Sequence, residues 1–274
     1  MRLRVEHTTS FSYDEPVYET ATEIRLRPCD ERSAAQRLHS FEIKIEPEAT
    51  LQRYTDYFGN VVTHFNLLQN HASLRIVSTA LVETGIGRTA SSAVDELRAL
   101  DYLHESRFVH FDAGLREFAH ASAGYANLDG PLAAAEQLCR QINKEFTYEP
   151  GVTDVHSPSS EVIQHRRGVC QDFAHVLIAA CRVRGISARY VSGYLYGGAL
   201  SERDDRASHA WCEVYGGPDQ GWIGLDPTHD TTFVDERYIK IGVGRDYGDV
   251  PPVRGTYKGN SREELKVVVR VTEA

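Results

Sequence analysis

Cysteine, tryptophan and long apolar runs are all scarce in this 274-residue chain, and each scarcity removes a class of protein. No run of about 18 apolar residues occurs, so no membrane-spanning helix is expected and no membrane partner. The five cysteines, at positions 29, 139, 170, 181 and 212, are odd in number and widely spaced. They are too few for a disulfide scaffold, and none form the C-x-x-C pair of a zinc ribbon or a thioredoxin-type motif. No metal or cofactor is expected on this ground. The start, Met1-Arg2-Leu3-Arg4-Val5-Glu6-His7, carries no apolar signal region, which predicts a cytoplasmic protein with reduced thiols. Basic residues are in deficit, 30 Lys and Arg against 39 Asp and Glu, for a net charge of −9. A nucleic-acid partner, which calls for a basic face, is therefore not expected.

What is present is an ordinary globular composition, 41% hydrophobic and 25% charged, in a length that suits one large domain or two of usual size. The first 85 residues or so read as β structure. Leu3, Val5, His7, Thr9 and Phe11 alternate with more polar neighbours. Further short strands are predicted at 22–27, 40–45, 53–58, 61–67 and 74–82, with a turn at Asp56-Tyr57-Phe58-Gly59-Asn60. Strands at this spacing predict a β-sandwich-like N-terminal domain. The small, polar stretch 84–92 predicts the boundary, giving domains 1–88 and 89–274. Beyond it the apolar spacing turns helical over 114–122 and 131–146, and Ser159 is a candidate cap for a short helix.

The most telling segment is Arg166-Arg167-Gly168-Val169-Cys170-Gln171-Asp172-Phe173-Ala174-His175, where a glycine turn runs into a helix predicted to reach Arg184. A cysteine in the first turn of a helix lies at the positive end of the macrodipole, and Arg166 and Arg167 add positive charge; both favour a thiolate. Downstream stand Ser208-His209-Ala210-Trp211-Cys212-Glu213-Val214 and Gly221-Trp222-Ile223-Gly224-Leu225-Asp226-Pro227, each read as a strand. Nucleophile, base and orienting carboxylate thus fall in the order Cys170, His209, Asp226 on three elements, as thiol acyl transfer requires. On a strand, His209, Trp211 and Glu213 point one way and Ala210, Cys212 and Val214 the other. His175, about 140° from Cys170 around the helix, is a poor base, and His229 is a rival to His209. Cys139, Cys181 and Cys212 read as core residues. A metal site built on Cys170, His209 and Cys212 is disfavoured, because Cys212 should point away from His209. The acidic loop with Glu202, Asp204 and Asp205 lies between two strands and could border the cleft.

The segments Gly168–His175, Gly185–Tyr194, Ser208–Trp211 and Leu225–Thr228 resemble the bacterial transglutaminase-like family. Glu23–Pro28 and Tyr54–Asn60 resemble the β-rich domain that commonly precedes that core in bacteria. The resemblance implies an α+β fold: a papain-like transglutaminase core, with the nucleophile helix packed on an antiparallel sheet carrying His209 and Asp226. It implies a cysteine-dependent amide acyl-transfer enzyme, a peptidase, amidase or transglutaminase-like protein, working through a thioester on peptide or peptide-like amides. The alternative is a non-catalytic peptide-binding module on a peptidase-like core. The chain departs from the animal enzymes, where Gln precedes and Trp follows the nucleophile; here they are Val169 and Gln171. Trp211 and Trp222 both lie downstream of Cys170, so neither replaces the upstream oxyanion-stabilising Trp of those enzymes; Tyr148 is the candidate stand-in. No calcium loop is evident. Substrate identity, hydrolysis against transfer, and oligomeric state are left open by the sequence.

Overall fold

A single strand, β1 (Arg2–Ile24), organises the N-terminal half of the computed structural model. The structure describes residues 1–30, 35–86, 93–121, 130–153, 157–198 and 208–274. β2 (Gln36–Glu46), β3 (Gln52–Thr55), β4 (Val61–Leu67) and β5 (His71–Thr84) follow in sequence. They join β1 in one sheet in the order β2-β5-β1-β4-β3. The first half of β1 pairs with β5 and its second half with β4, all antiparallel. Register shifts between Ser12 and Val17 separate the two halves, and Glu19 takes a φ of 48°. Such irregularities bend a strand and increase its twist. Side chains from both halves, among them Val17, Ile24, Phe65, Leu74 and Ile76, consequently share one apolar cluster. The seven strands are joined through β1 into one bent sheet whose two halves close on that cluster.

The remaining two strands of that sheet come from the other end of the chain. β12 (Val253–Lys258) and β13 (Glu263–Glu273) both pair with β1, with Leu3 opposite Glu273 and Ile24 opposite Val253. The domain boundary expected at 88/89 lies outside the described residues, and sheet membership does not follow it. The reason is hydrogen bonding: β1 has two edges, β4 and β5 satisfy one, and β12 and β13 satisfy the other.

Between these ends come α1 (Ala93–Ala99), α2 (Ala113–Ala121), α3 (Gly130–Glu145) and α4 (Ser159–His165), of which α2, α3 and α4 pack on α5 (Cys170–Val183). Within α3, Ala134, Ala135, Leu138, Cys139 and Ile142 recur at helical spacing and are buried. Ser159 is the first residue of α4 rather than its cap; Pro158 holds that position, and the Ser159 hydroxyl accepts from the His110 amide. Short strands β6 (Thr147–Tyr148) and β7 (Arg167–Gly168) pair in parallel just before α5.

α5 is buried from Asp172 to Arg182 and packs on β8 (Ala188–Leu195) and β9 (Ser208–Tyr215). Small residues Ala174, Ala179 and Ala180 let neighbouring elements approach it, while Leu177 and Ile178, wholly buried, contribute about 2 kcal/mol each. β10 (Trp222–Leu225) and β11 (Tyr238–Gly244) complete an antiparallel sheet in the order β10-β9-β8-β11. Gly193 on β8 is required by packing, because a Cβ there would collide with the Ile239 carbonyl and the Trp211 ring. β9 is clamped from one side by buried ion pairs: Glu213 meets Arg189 of β8 at 2.7 Å and Lys240 of β11 at 2.5 Å. Arg189 also lies 4.0 Å above the Trp222 ring.

Candidate active site

Cys170 stands at the first position of α5, where local geometry keeps the helix start sharp. Val169 has no side-chain acceptor to cap the first turn. Asp172 acts instead, its carboxylate accepting from the Val169 amide at 2.8 Å and the Thr153 hydroxyl at 2.6 Å. Gly168 permits this, because a Cβ there would stand 2.5 Å from that carboxylate. The carboxylate also sits favourably in the first turn of the helix. Cys170 itself is half-buried, whereas Ala174, Leu177, Ile178 and Cys181 below it are wholly buried.

His209 is near the start of β9 and faces the thiol across the cleft, close enough for a hydrogen bond to Cys170. Its Nε2 donates to Asp226 Oδ2 at 2.7 Å, which leaves Nδ1 for the sulfur. The strand alternation holds: His209 stacks beside Trp211 on one face, while Ala210, Cys212 and Val214 enter the core beneath α5. Asp226 follows β10 directly and is fully buried. The same Oδ2 accepts from His229 Nδ1 at 2.8 Å and from the Tyr238 hydroxyl at 2.8 Å, and Oδ1 accepts from the Thr228 amide at 2.9 Å. Burial works against ionisation of Asp226, yet hydrogen bonds from His209 and His229 hold it well below the usual carboxylate range. Burial likewise works against a charged His209, but Asp226 and Cys170 outweigh it and push its pKa up to about 10.

The structure thus brings Cys170, His209 and Asp226 together in one chain of contacts. His229 joins it from the exposed side, bonded to Asp226. His209, Asp226 and His229 place one ligand atom each within 4.8 Å of one another, a spacing that could hold a metal ion. Here the two imidazoles both bond to Asp226 Oδ2. His175 stays in the core, stacked on Phe108 and accepting from the Tyr247 amide at 3.1 Å; burial lowers its pKa to about 4. Arg166 and Arg167 are ion-paired with Glu145 and Glu149 at the surface, so their charge is shared with carboxylates rather than reserved for the thiol. Tyr148 is half-exposed, opposite Gly168 in the β6–β7 pair. It is not among the residues lining the cleft, whereas Gln171 lines it beside Cys170. The acidic loop with Glu202, Asp204 and Asp205 lies outside the described residues.

The cleft has a volume of about 610 Å³. One wall is the core: Cys170, Gln171, Tyr190, His209 and Tyr247. The other is the bent sheet, through β1, β12 and β13. This second wall is not legible in the sequence, because pairs such as His7 with Val269 join opposite ends of the chain.

A strand-rich α+β protein, with a cysteine at a helix start facing a buried His–Asp pair across a cleft, defines the class. The chain belongs to the transglutaminase-like superfamily, whose sequence profile matches residues 119–227, a span containing all three residues. Residues 3–83 match the bacterial transglutaminase-like N-terminal region. An uncharacterized protein of Mycobacterium leprae is 34% identical over 288 residues, covering 99% of this chain and 98% of that one. An uncharacterized protein of Mycobacterium tuberculosis (strain H37Rv) is 35% identical over 286 residues, covering 96% and 90%. Among solved structures, a candidate cysteine protease from Cytophaga hutchinsonii has the same fold, with a TM-score of 0.77 at 21% identity, covering all of this chain and 91% of that one.

Proposed function

We propose that this protein is a cysteine-dependent amide acyl-transfer enzyme acting on peptides or peptide-like amides, with hydrolysis favoured over transfer. The observation that carries this reading is the contact chain from Cys170 through His209 to the buried Asp226, opening on a cleft. The Cys170 sulfur attacks the amide carbonyl while its proton resides on His209 Nδ1. When the C–N bond breaks, His209 delivers that proton to the departing amine, leaving a thioester on Cys170. Water, giving a proton to His209, then attacks the thioester; the carboxylic acid leaves and the proton returns to sulfur. An amine in place of water completes transfer. Asp226 stays ionised throughout, holding the ring of His209 and stabilising its charged form.

The carbonyl oxygen carries negative charge in the tetrahedral intermediate. The backbone N–H of Cys170, at the start of α5, is one donor to it. Tyr148, which pairs with Gly168 but does not line the cleft, remains a proposed second donor, and the Gln171 side chain, which lines it beside Cys170, is its competitor. We place the protein in the cytoplasm, where its five cysteines, none of them in a disulfide, stay reduced.

The test is hydrolysis of a fluorescence-quenched peptide library by the intact protein, with intact-mass detection of an acyl adduct on Cys170 during turnover. Cys170→Ala and His209→Ala should abolish cleavage. Undiminished cleavage by Cys170→Ala would overturn the proposal.

A further inference from the structure

The sheet wall of the cleft carries side chains that the chemistry at Cys170 does not use. Antiparallel register sets His7 beside Val269, Thr9 beside Val267, and Phe11 beside Leu265. All six side chains line the cleft, so β1 and β13 present one continuous face to it. Most of the β1 row is closed: His7, Thr9 and, past the bend, Thr20 and Thr22 are buried, with Phe11 partly so. The β13 row is different. Leu265 is 54% exposed and Val267 41% exposed, in a concave surface rather than on an open face. Tyr13, opposite Glu263, and Tyr257 line the same cleft beyond them. Single exposed aliphatics are commonplace; a row of them along a cleft that also contains a thiol marks a binding surface.

We propose that this wall is a side-chain subsite, and that it takes a bulky apolar side chain, aliphatic or aromatic, of a peptide whose scissile amide lies at Cys170. The occupant follows from three features. The cleft is continuous from Cys170 and His209 to Leu265 and Val267. Its volume of about 610 Å³ falls within the range of sites that enclose a ligand of several residues' bulk. Arg107, Arg254 and Glu263 also line the cleft, but the row along β1 and β13 offers Phe11, Leu265, Val267 and Val269, an apolar surface that matches an apolar side chain better than a charged one. The inference rests on the catalytic reading only in placing the scissile bond; the subsite itself is a property of the β1–β13 face.

The test compares two reagents on Cys170 of the full chain, N-acetyl-Leu-Phe chloromethyl ketone and N-acetyl-Gly-Gly chloromethyl ketone. Rates are read by peptide mass mapping, each divided by the iodoacetamide rate of the same variant. The apolar reagent should react more than about tenfold faster in the native protein, the scale expected for burying one such side chain. Val267→Arg and Leu265→Arg, both at exposed positions, should lower that ratio at least about fivefold. Val268→Arg, on the strand position between rows, should leave the ratio near its native value. A native ratio near one, or a ratio unmoved by Val267→Arg in protein whose melting temperature matches the native, would overturn the subsite. Apolar preference that persists while Cys170→Ala still cleaves peptide would instead overturn the catalytic reading and uphold the subsite.

Discussion

Replacing Glu213 by Gln should destabilise the protein in a pH-dependent way, because its carboxylate is the only negative charge between Arg189 and Lys240 in the ion-pair cluster described. All three side chains are nearly excluded from water, at 6%, 13% and 9% exposure. Burial opposes the charge on Glu213, but Lys240 and Arg189 overcome it and bring its pKa from 4.5 down to about 2. That difference corresponds to roughly 3 kcal/mol of folding stability at neutral pH. A depressed folded-state pKa contributes fully above the unfolded value and is lost as pH falls through the folded one. The gap between the native protein and Glu213→Gln should therefore be about 3 kcal/mol at pH 7 and about half that at pH 3. At this chain length the neutral gap is a fall of roughly 6–12 °C in melting temperature. Urea denaturation of both proteins at pH 7, 5, 4 and 3 measures it. A neutral gap below about 1 kcal/mol, or one that does not change between pH 7 and 3, would refute the reasoning.

Asp226→Asn removes one of the two groups, with Cys170, that outweigh burial at His209, so the His209 pKa should fall from about 10. NMR titration of the His209 ring checks this, and peptide cleavage should drop by about 10³-fold or more, as for other triads whose carboxylate is neutralised. His229 shares the Asp226 oxygen but is half-exposed, whereas His209 is the imidazole in contact with Cys170, so His229→Ala should keep cleavage within about tenfold of native while His209→Ala loses it. A reversed ranking would make His229 the base. Gly193→Ala should lower stability by about 3 kcal/mol or prevent folding, since its methyl has the Ile239 carbonyl and Trp211 ring in its space. Soluble yield and melting temperature report it.

Local signals in the chain proved readable where neighbours in sequence are neighbours in space. The 61–67 strand coincides with β4, and the helix from Cys170 ends beside Gly185, which takes a φ of 73°. β8 to β11 follow apolar runs bounded by turns, so the elements that carry His209 and Asp226 were found. β1 was not seen as one strand, because the bulges between Ser12 and Ala21 interrupt the two-residue alternation that identifies a strand. β12 went unrecognised because Gly255 and charged neighbours dilute its apolar pattern, and its pairing to Ile24 is set by a contact more than 200 residues away in sequence. The same distance hid the sheet wall of the cleft. The sharing of Asp226 by His229 and Tyr238 also escaped the sequence, since it depends on where β11 lies against the turn after β10.

The central claim is that Cys170 is an activated thiol paired with His209. The pH profile of iodoacetamide alkylation at Cys170, mapped beside the other four cysteines, tests it most directly. The account predicts selective modification of Cys170 well below pH 7, lost in His209→Ala, while the buried Cys139, Cys181 and Cys212 stay unmodified in folded protein. A Cys170 that reacts only above about pH 8, no faster than Cys29, would contradict it.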